Sequence, residues 1–154
     1  MKYLIPLVIA SSTLAATAVE IRFKDCPPAV RSTISANLNG GVIDEIDRVQ
    51  RNGLTRYIVD IDGPAGRDIT FRLTPAGRVL FTTEDVKLSE CPLAVRQAIQ
   101  NLLQIGWRID DIDREVNGQG IRFRVDFDRS NARDVEYLLT RDGKVLERQV
   151  EKSD

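Results

Sequence analysis

The chain has 154 residues, enough for one domain or two small ones. Its 22 Lys and Arg stand against 23 Asp and Glu, without the basic excess expected of a nucleic-acid binder. It contains no His, so serine-type triads, Cys–His pairs and the usual zinc sites each lack a member.

The first residues read as a leader. Lys2 gives a positive start, 4–10 an apolar run, and Ala16-Thr17-Ala18 a small-residue cleavage site before Val19. The apolar run is short for a membrane span, and no later segment is longer. The expectation is a signal peptide over 1–18 and an exported protein, periplasmic or secreted. Losing Lys2 leaves 21 basic residues against 23 acidic ones.

The phrase Cys26-Pro27-Pro28-Ala29-Val30-Arg31 returns as Cys91-Pro92-Leu93-Ala94-Val95-Arg96. Each copy opens a one-sided apolar stripe at helical spacing. The first is Ala29, Val30, Ile34 and Leu38, closed by Gly40-Gly41; the second is Ala94, Val95, Ile99, Leu102 and Leu103, closed by Gly106. Helices this short are marginal alone and require packing on a sheet.

Beyond each helix the apolar residues recur with period two. Ile43 to Arg48 matches Ile109 to Arg114; Tyr57, Val59 and Ile61 match Phe123, Val125 and Phe127. Ile69, Phe71 and Leu73 match Val135, Tyr137 and Leu139, and Gly77-Arg78-Val79-Leu80 matches Gly143-Lys144-Val145-Leu146. Asn52-Gly53, Gly63-Pro64, Asn117-Gly118 and Asp142-Gly143 mark tight turns between the runs. The fold class read from this pattern is α+β: two tandem repeats, 19–85 and 86–154, each one helix packed on a roughly four-stranded antiparallel sheet. The short connections exclude parallel βαβ units.

In their order, these residues resemble the PepSY-like, β-lactamase-inhibitor-like tandem-repeat family. The resemblance rests on Pro27, Ala29, Val30, Ile43, Ile46, Tyr57, Gly77, Val79 and Leu80, and on Pro92, Ala94, Val95, Ile109, Ile112, Phe123, Gly143, Val145 and Leu146. It implies exported modules that bind or restrain other proteins and have no catalytic residues. Cys26 and Cys91 stand where the family usually has Leu.

Three groups of residues could carry function. Cys26 and Cys91 are a disulfide candidate in an oxidising compartment; the alternatives are two buried apolar side chains, or a thiol-dependent redox or stress protein. Asp60 with Asp62 and Asp126 with Asp128 pair carboxylates on strand faces. Arginines on the same face argue against acid–base chemistry, and Asp60-Ile61-Asp62-Gly63 starts a calcium-type loop that stops at Pro64. The third group is the charged strand face itself. Arg56, Asp60, Arg122, Arg124 and Asp126, with Trp107 after the second helix, are the candidate partner-binding residues, since Arg and Trp are frequent interface anchors.

The expected function is that of a non-catalytic, exported binding module for a protein or peptide of the cell envelope, inhibitory or not. It would need no cofactor, bind no nucleic acid and span no membrane. A redox protein and a small-ligand or calcium carrier are the alternatives.

Overall fold

A computed structural model describes residues 17–129 and 132–150. The expected leader falls mostly outside the described residues; its last two, Thr17 and Ala18, begin a strand.

Nine strands succeed one another in sequence order across a single antiparallel sheet. They are β1 (Thr17–Glu20), β2 (Val42–Arg51), β3 (Leu54–Asp62), β4 (Ile69–Leu73), β5 (Val79–Asp85), β6 (Trp107–Asn117), β7 (Gly120–Arg129), β8 (Val135–Thr140) and β9 (Val145–Val150). Among the described residues two ten-residue α-helices, α1 (Pro28–Asn37) and α2 (Leu93–Leu102), lie against this sheet. The expectation of two repeats, each with its own four-stranded sheet, is therefore corrected: one nine-stranded sheet carries both helices. β5 runs on past Leu80 to Asp85 and pairs with β6 from Phe81↔Asn117 to Asp85↔Asp113. Two separate sheets would each leave a row of unpaired N–H and C=O groups at that seam, and pairing removes both rows.

Each helix starts where a proline removes an unneeded N–H. Pro28 is the first residue of α1, whereas Pro92 lies one place before α2, as its N-cap. Val30 and Ile34 of α1 are buried on Ile46, Tyr57, Val59, Ile61, Phe71 and Leu73. Val95 and Ile99 of α2 are buried on Ile112, Phe123, Val125, Phe127, Val135, Tyr137 and Leu139. These are separate core clusters on one face of the sheet.

Two β-bulges decide which residues reach the other face. The register shifts between Ile43 and Glu45 in β2 and between Ile109 and Asp111 in β6. Each bulge lets two isoleucines three apart, Ile43 with Ile46 and Ile109 with Ile112, point to the helices. It also turns Glu45 and Asp47, and Asp111 and Asp113, outward to the helix-free face.

Candidate functional site

The strand register orders the helix-free face into rows. One row across it runs Glu20, Asp47, Ile58, Arg72, Phe81, Asn117, and the next Glu45, Asp60, Thr70, Thr83, Glu115, Arg122, Thr140. A third contains Asp85, Asp113, Arg124, Leu138 and Glu147, and a fourth Asp111, Asp126, Glu136 and Gln149.

At the seam of β5 and β6 this face sinks into an open depression of about 550 Å³. Its walls include Arg72 and Phe81 on one side, Glu115, Arg122 and Arg124 in the middle, and Leu138 with Glu147 on the other. The Arg72 guanidinium stacks 4.8 Å from the centre of the Phe81 ring. Arg122 donates to Gln119 at 2.5 Å. Leu138 is buried although it lies away from both helix-side cores, in register between Arg124 and Glu147.

Glu115 is the one buried charged residue among the described residues, at 7 % exposure. Arg124 donates to it through Nε at 2.7 Å and to Glu136 through Nη1. A buried carboxylate that loses its partner keeps its desolvation cost. Arg124→Met should therefore lower stability by about 2–3 kcal/mol. The double variant E115L/R124M should return to within about 1 kcal/mol of the parent, because neither charge is then stranded. A thermodynamic cycle from urea melts checks both values.

At the edge of the depression, which Asp113 helps to line, Asp85, Asp111 and Asp113 bring carboxylate oxygens within 4.8 Å of one another. Burial first, then the charges of Asp111 and Asp85, push Asp113 up to about 7. Asp85 is raised as well, chiefly by burial and next by Asp111. The charged groups facing Asp113 are Asp85 on β5, Asp111 and Glu115 on its own strand, and Arg124 and Asp126 on β7. The folded chain thus keeps a proton that the unfolded chain releases near pH 4, so stability falls as pH rises from about 4 to about 7. The difference in melting temperature between Asp113→Asn and the parent should be near zero at pH 4 and clearly positive at pH 8. A flat difference would show that Asp113 titrates normally.

The residues expected from the sequence divide into three groups. Arg122, Arg124 and Asp126 lie together on β7, the arginines in the depression and Asp126 opposite Asp111. Arg56 and Asp60 share the face but stand on β3, outside the depression: Arg56 donates to the Thr55 carbonyl, and Asp60 accepts from the Thr70 hydroxyl at 2.5 Å. Trp107 is on the opposite side. Its ring packs 5.8 Å from the buried Phe127 ring and against the α2 core, on the face away from the other candidate residues.

Cys26 and Cys91 are both buried and both free, each in a different core cluster. Their thiols lie 3.7 Å and 3.6 Å from the backbone carbonyls of Arg22 and Lys87. Burial is the largest influence on both and raises them, the opposite of an activated thiolate.

Sequence reasoning missed Arg72, Phe81, Asn117, Glu115, Leu138 and Asp113 as residues of one place. The available signal was the spacing Ile43-x-x-Ile46 and Ile109-x-x-Ile112 in runs otherwise of period two, which marks the bulges.

Comparison with known proteins rests on the fold. No family profile and no curated protein matches the chain. Among solved structures, a BLIP-like protein from Bacteroides fragilis superposes with a TM-score of 0.58 at 17 % identity, covering 82 % of this chain and 88 % of that one. The fold is BLIP-like. A protein from Bacteroides eggerthii described as periplasmic gives 0.63 at 18 % identity, with 81 % and 88 % covered. A DUF2874 family protein from Bacteroides ovatus gives 0.61 at 18 %, with 81 % and 87 % covered. The BLIP-like fold agrees with the β-lactamase-inhibitor-like side of the resemblance seen in the sequence, whereas its PepSY-like side finds no matching profile. Among the described residues no helix is long and apolar enough to cross a membrane.

Proposed function

We propose that this chain is an exported, non-catalytic binding module that engages a protein or peptide of the cell envelope through its helix-free sheet face. The observation that carries the reading is the depression at the β5–β6 seam. It combines Phe81 and Leu138 with three arginines on a part of the sheet whose strands are paired on both sides. Aromatic and Arg side chains are the favoured anchors of interfaces, and a site on strands holds them in fixed geometry. Export is supported by the leader-like start and by the fold neighbour described as periplasmic. The buried, free, raised thiols speak against the redox alternative.

The test is site-specific photocrosslinking in a bacterial periplasm. A photoreactive residue at Phe81 should give a defined protein adduct, and one at Ser35, exposed on α1, should not. Adding R122E/D126R should remove the Phe81 adduct while leaving the melting temperature within a few degrees. Adducts from Ser35 and none from Phe81 would move the binding surface to the helices.

A further inference from the structure

The depression straddles the junction of two halves that have separate cores. Arg72, Phe81 and Thr83 line it from the half that carries α1; Glu115, Arg124 and Leu138 line it from the half that carries α2. Among the described residues the strand ladder joining the halves is the β5–β6 seam, five residue pairs long. The tilt between the halves, and with it the width of the depression, is therefore set at that seam.

The two faces of the seam differ in charge. On the helix side Arg114 of β6 bonds to Glu84 of β5 and draws the halves together. On the helix-free side Asp85 stands directly opposite Asp113, both half-buried, with carboxyl oxygens within 4.8 Å. These two carboxyls hydrogen-bond to each other, which requires that one of them carry a proton. Around the pair stand Asp68 before β4, Asp111 and Glu115 on β6, and Arg124 and Asp126 on β7. Arg67, Lys87 and Glu90 surround the neighbouring cleft that Asp85 and Asp111 line. The arginines in this set already bond to glutamates, Arg124 to Glu115 and Glu136, and Arg67 to Glu84 and Glu90.

We infer that the β5–β6 seam is a proton-operated hinge: a proton shared by Asp85 and Asp113 holds the two halves at one tilt, and its loss splays the helix-free side of the seam and widens the depression. Two ionised carboxylates in contact repel, and like charges directly opposite on neighbouring strands weaken the pairing. The Glu84–Arg114 pair keeps its attraction, so the seam bends about its helix side instead of parting. Asp113 is pushed up to about 7, by burial first and then by Asp111 and Asp85, which places the transition at neutral pH. At pH 8 about ten ionised molecules stand for each protonated one. The hinge goes beyond the binding function proposed for this face and bears on it only through the shape of the depression.

The experiment is NMR of the full exported chain at pH 6 and pH 8. Residual dipolar couplings of β2, β3 and β4, and separately of β7, β8 and β9, give the orientation of each half. The angle between the halves should change between the two pH values, and amides 83–85 and 113–115 should shift with a midpoint near pH 7. In Asp113→Asn the new amide donates to the Asp85 carboxylate without a proton, so angle and shifts should keep their pH 6 values at pH 8. Asp85→Asn donates to Asp113 in the same way and serves if the first variant does not fold. Asp47→Asn breaks another facing acid pair, Glu20↔Asp47, which joins no second core, and should leave the transition in place. A constant angle while the seam amides titrate overturns the hinge, as does a transition that persists in Asp113→Asn. So does an Asp113 carboxyl carbon that titrates near pH 4. A constant angle leaves the Phe81 crosslink, and the binding function, untouched; an absent crosslink with a moving seam removes the function and leaves the hinge.

Discussion

Gly143→Ala should lower stability by about 3–4 kcal/mol, and Gly77→Ala by a similar amount, whereas Gly53→Ala should cost only about 1 kcal/mol. All three glycines have φ near +75°, at +79°, +75° and +75°, so each variant carries the left-handed penalty of an L residue. They differ in what surrounds the new methyl group. At Gly143 a Cβ would lie 2.5 Å from the carbonyl oxygen of Ala94 and 3.2 Å from Cβ of Ala98. At Gly77 it would lie 2.5 Å from the carbonyl oxygen of Ala29 and 2.8 Å from the Thr33 hydroxyl, which itself donates to the Gly77 carbonyl at 2.7 Å. Backbone atoms of a packed helix cannot step aside as a flexible side chain can, so each hairpin must lift from its helix. Gly53 has nothing within 4 Å. Urea midpoints at constant m-value separate the two classes. Equal losses at all three sites would mean that the helix contact contributes nothing.

Phe127→Ala should cost about 3–5 kcal/mol, and Phe81→Ala about 1 kcal/mol. Phe127 is fully buried between Trp107 and Tyr137, with ring centres 5.8 Å and 5.9 Å away, the second edge to face. Its removal opens a cavity under α2 that a close-packed core fills only in part. Phe81 is half-buried on the helix-free face, and its neighbour there is the long, adaptable side chain of Arg72. Trp107 is the only Trp, so its fluorescence reports on the Phe127 site alone. Emission should shift to the red in Phe127→Ala and stay unchanged in Phe81→Ala. The pair thus separates the face that holds the fold together from the face available to a partner.

Much of the local structure was legible in the residue pattern. The alternation of Tyr57, Val59 and Ile61 with polar neighbours placed these residues on the helix side, where they are buried, and the same holds for Phe123, Val125 and Phe127. The helices at Cys-Pro-x-Ala-Val followed from proline and apolar spacing. Trp107 shares the parity of Ile109, and its ring packs against the α2 core, on the other face from Arg122 and Arg124. The single sheet was missed for another reason. Period-two patterns report which face a residue takes, and they are silent about which strand pairs with which across a seam.

The sequence alone thus determined the alternating strands, the two prolyl helix starts and the tight turns, because these follow from φ/ψ limits and side-chain period within a few residues, and its lack of His excluded a histidine-based centre. Only the tertiary structure decided that β5 joins β6, that two bulges turn Glu45, Asp47, Asp111 and Asp113 outward, and that a balanced chain presents an acidic face. Those outcomes come from satisfying backbone hydrogen bonds between segments up to some thirty residues apart, such as Asp85 and Asp113, which no local pattern encodes.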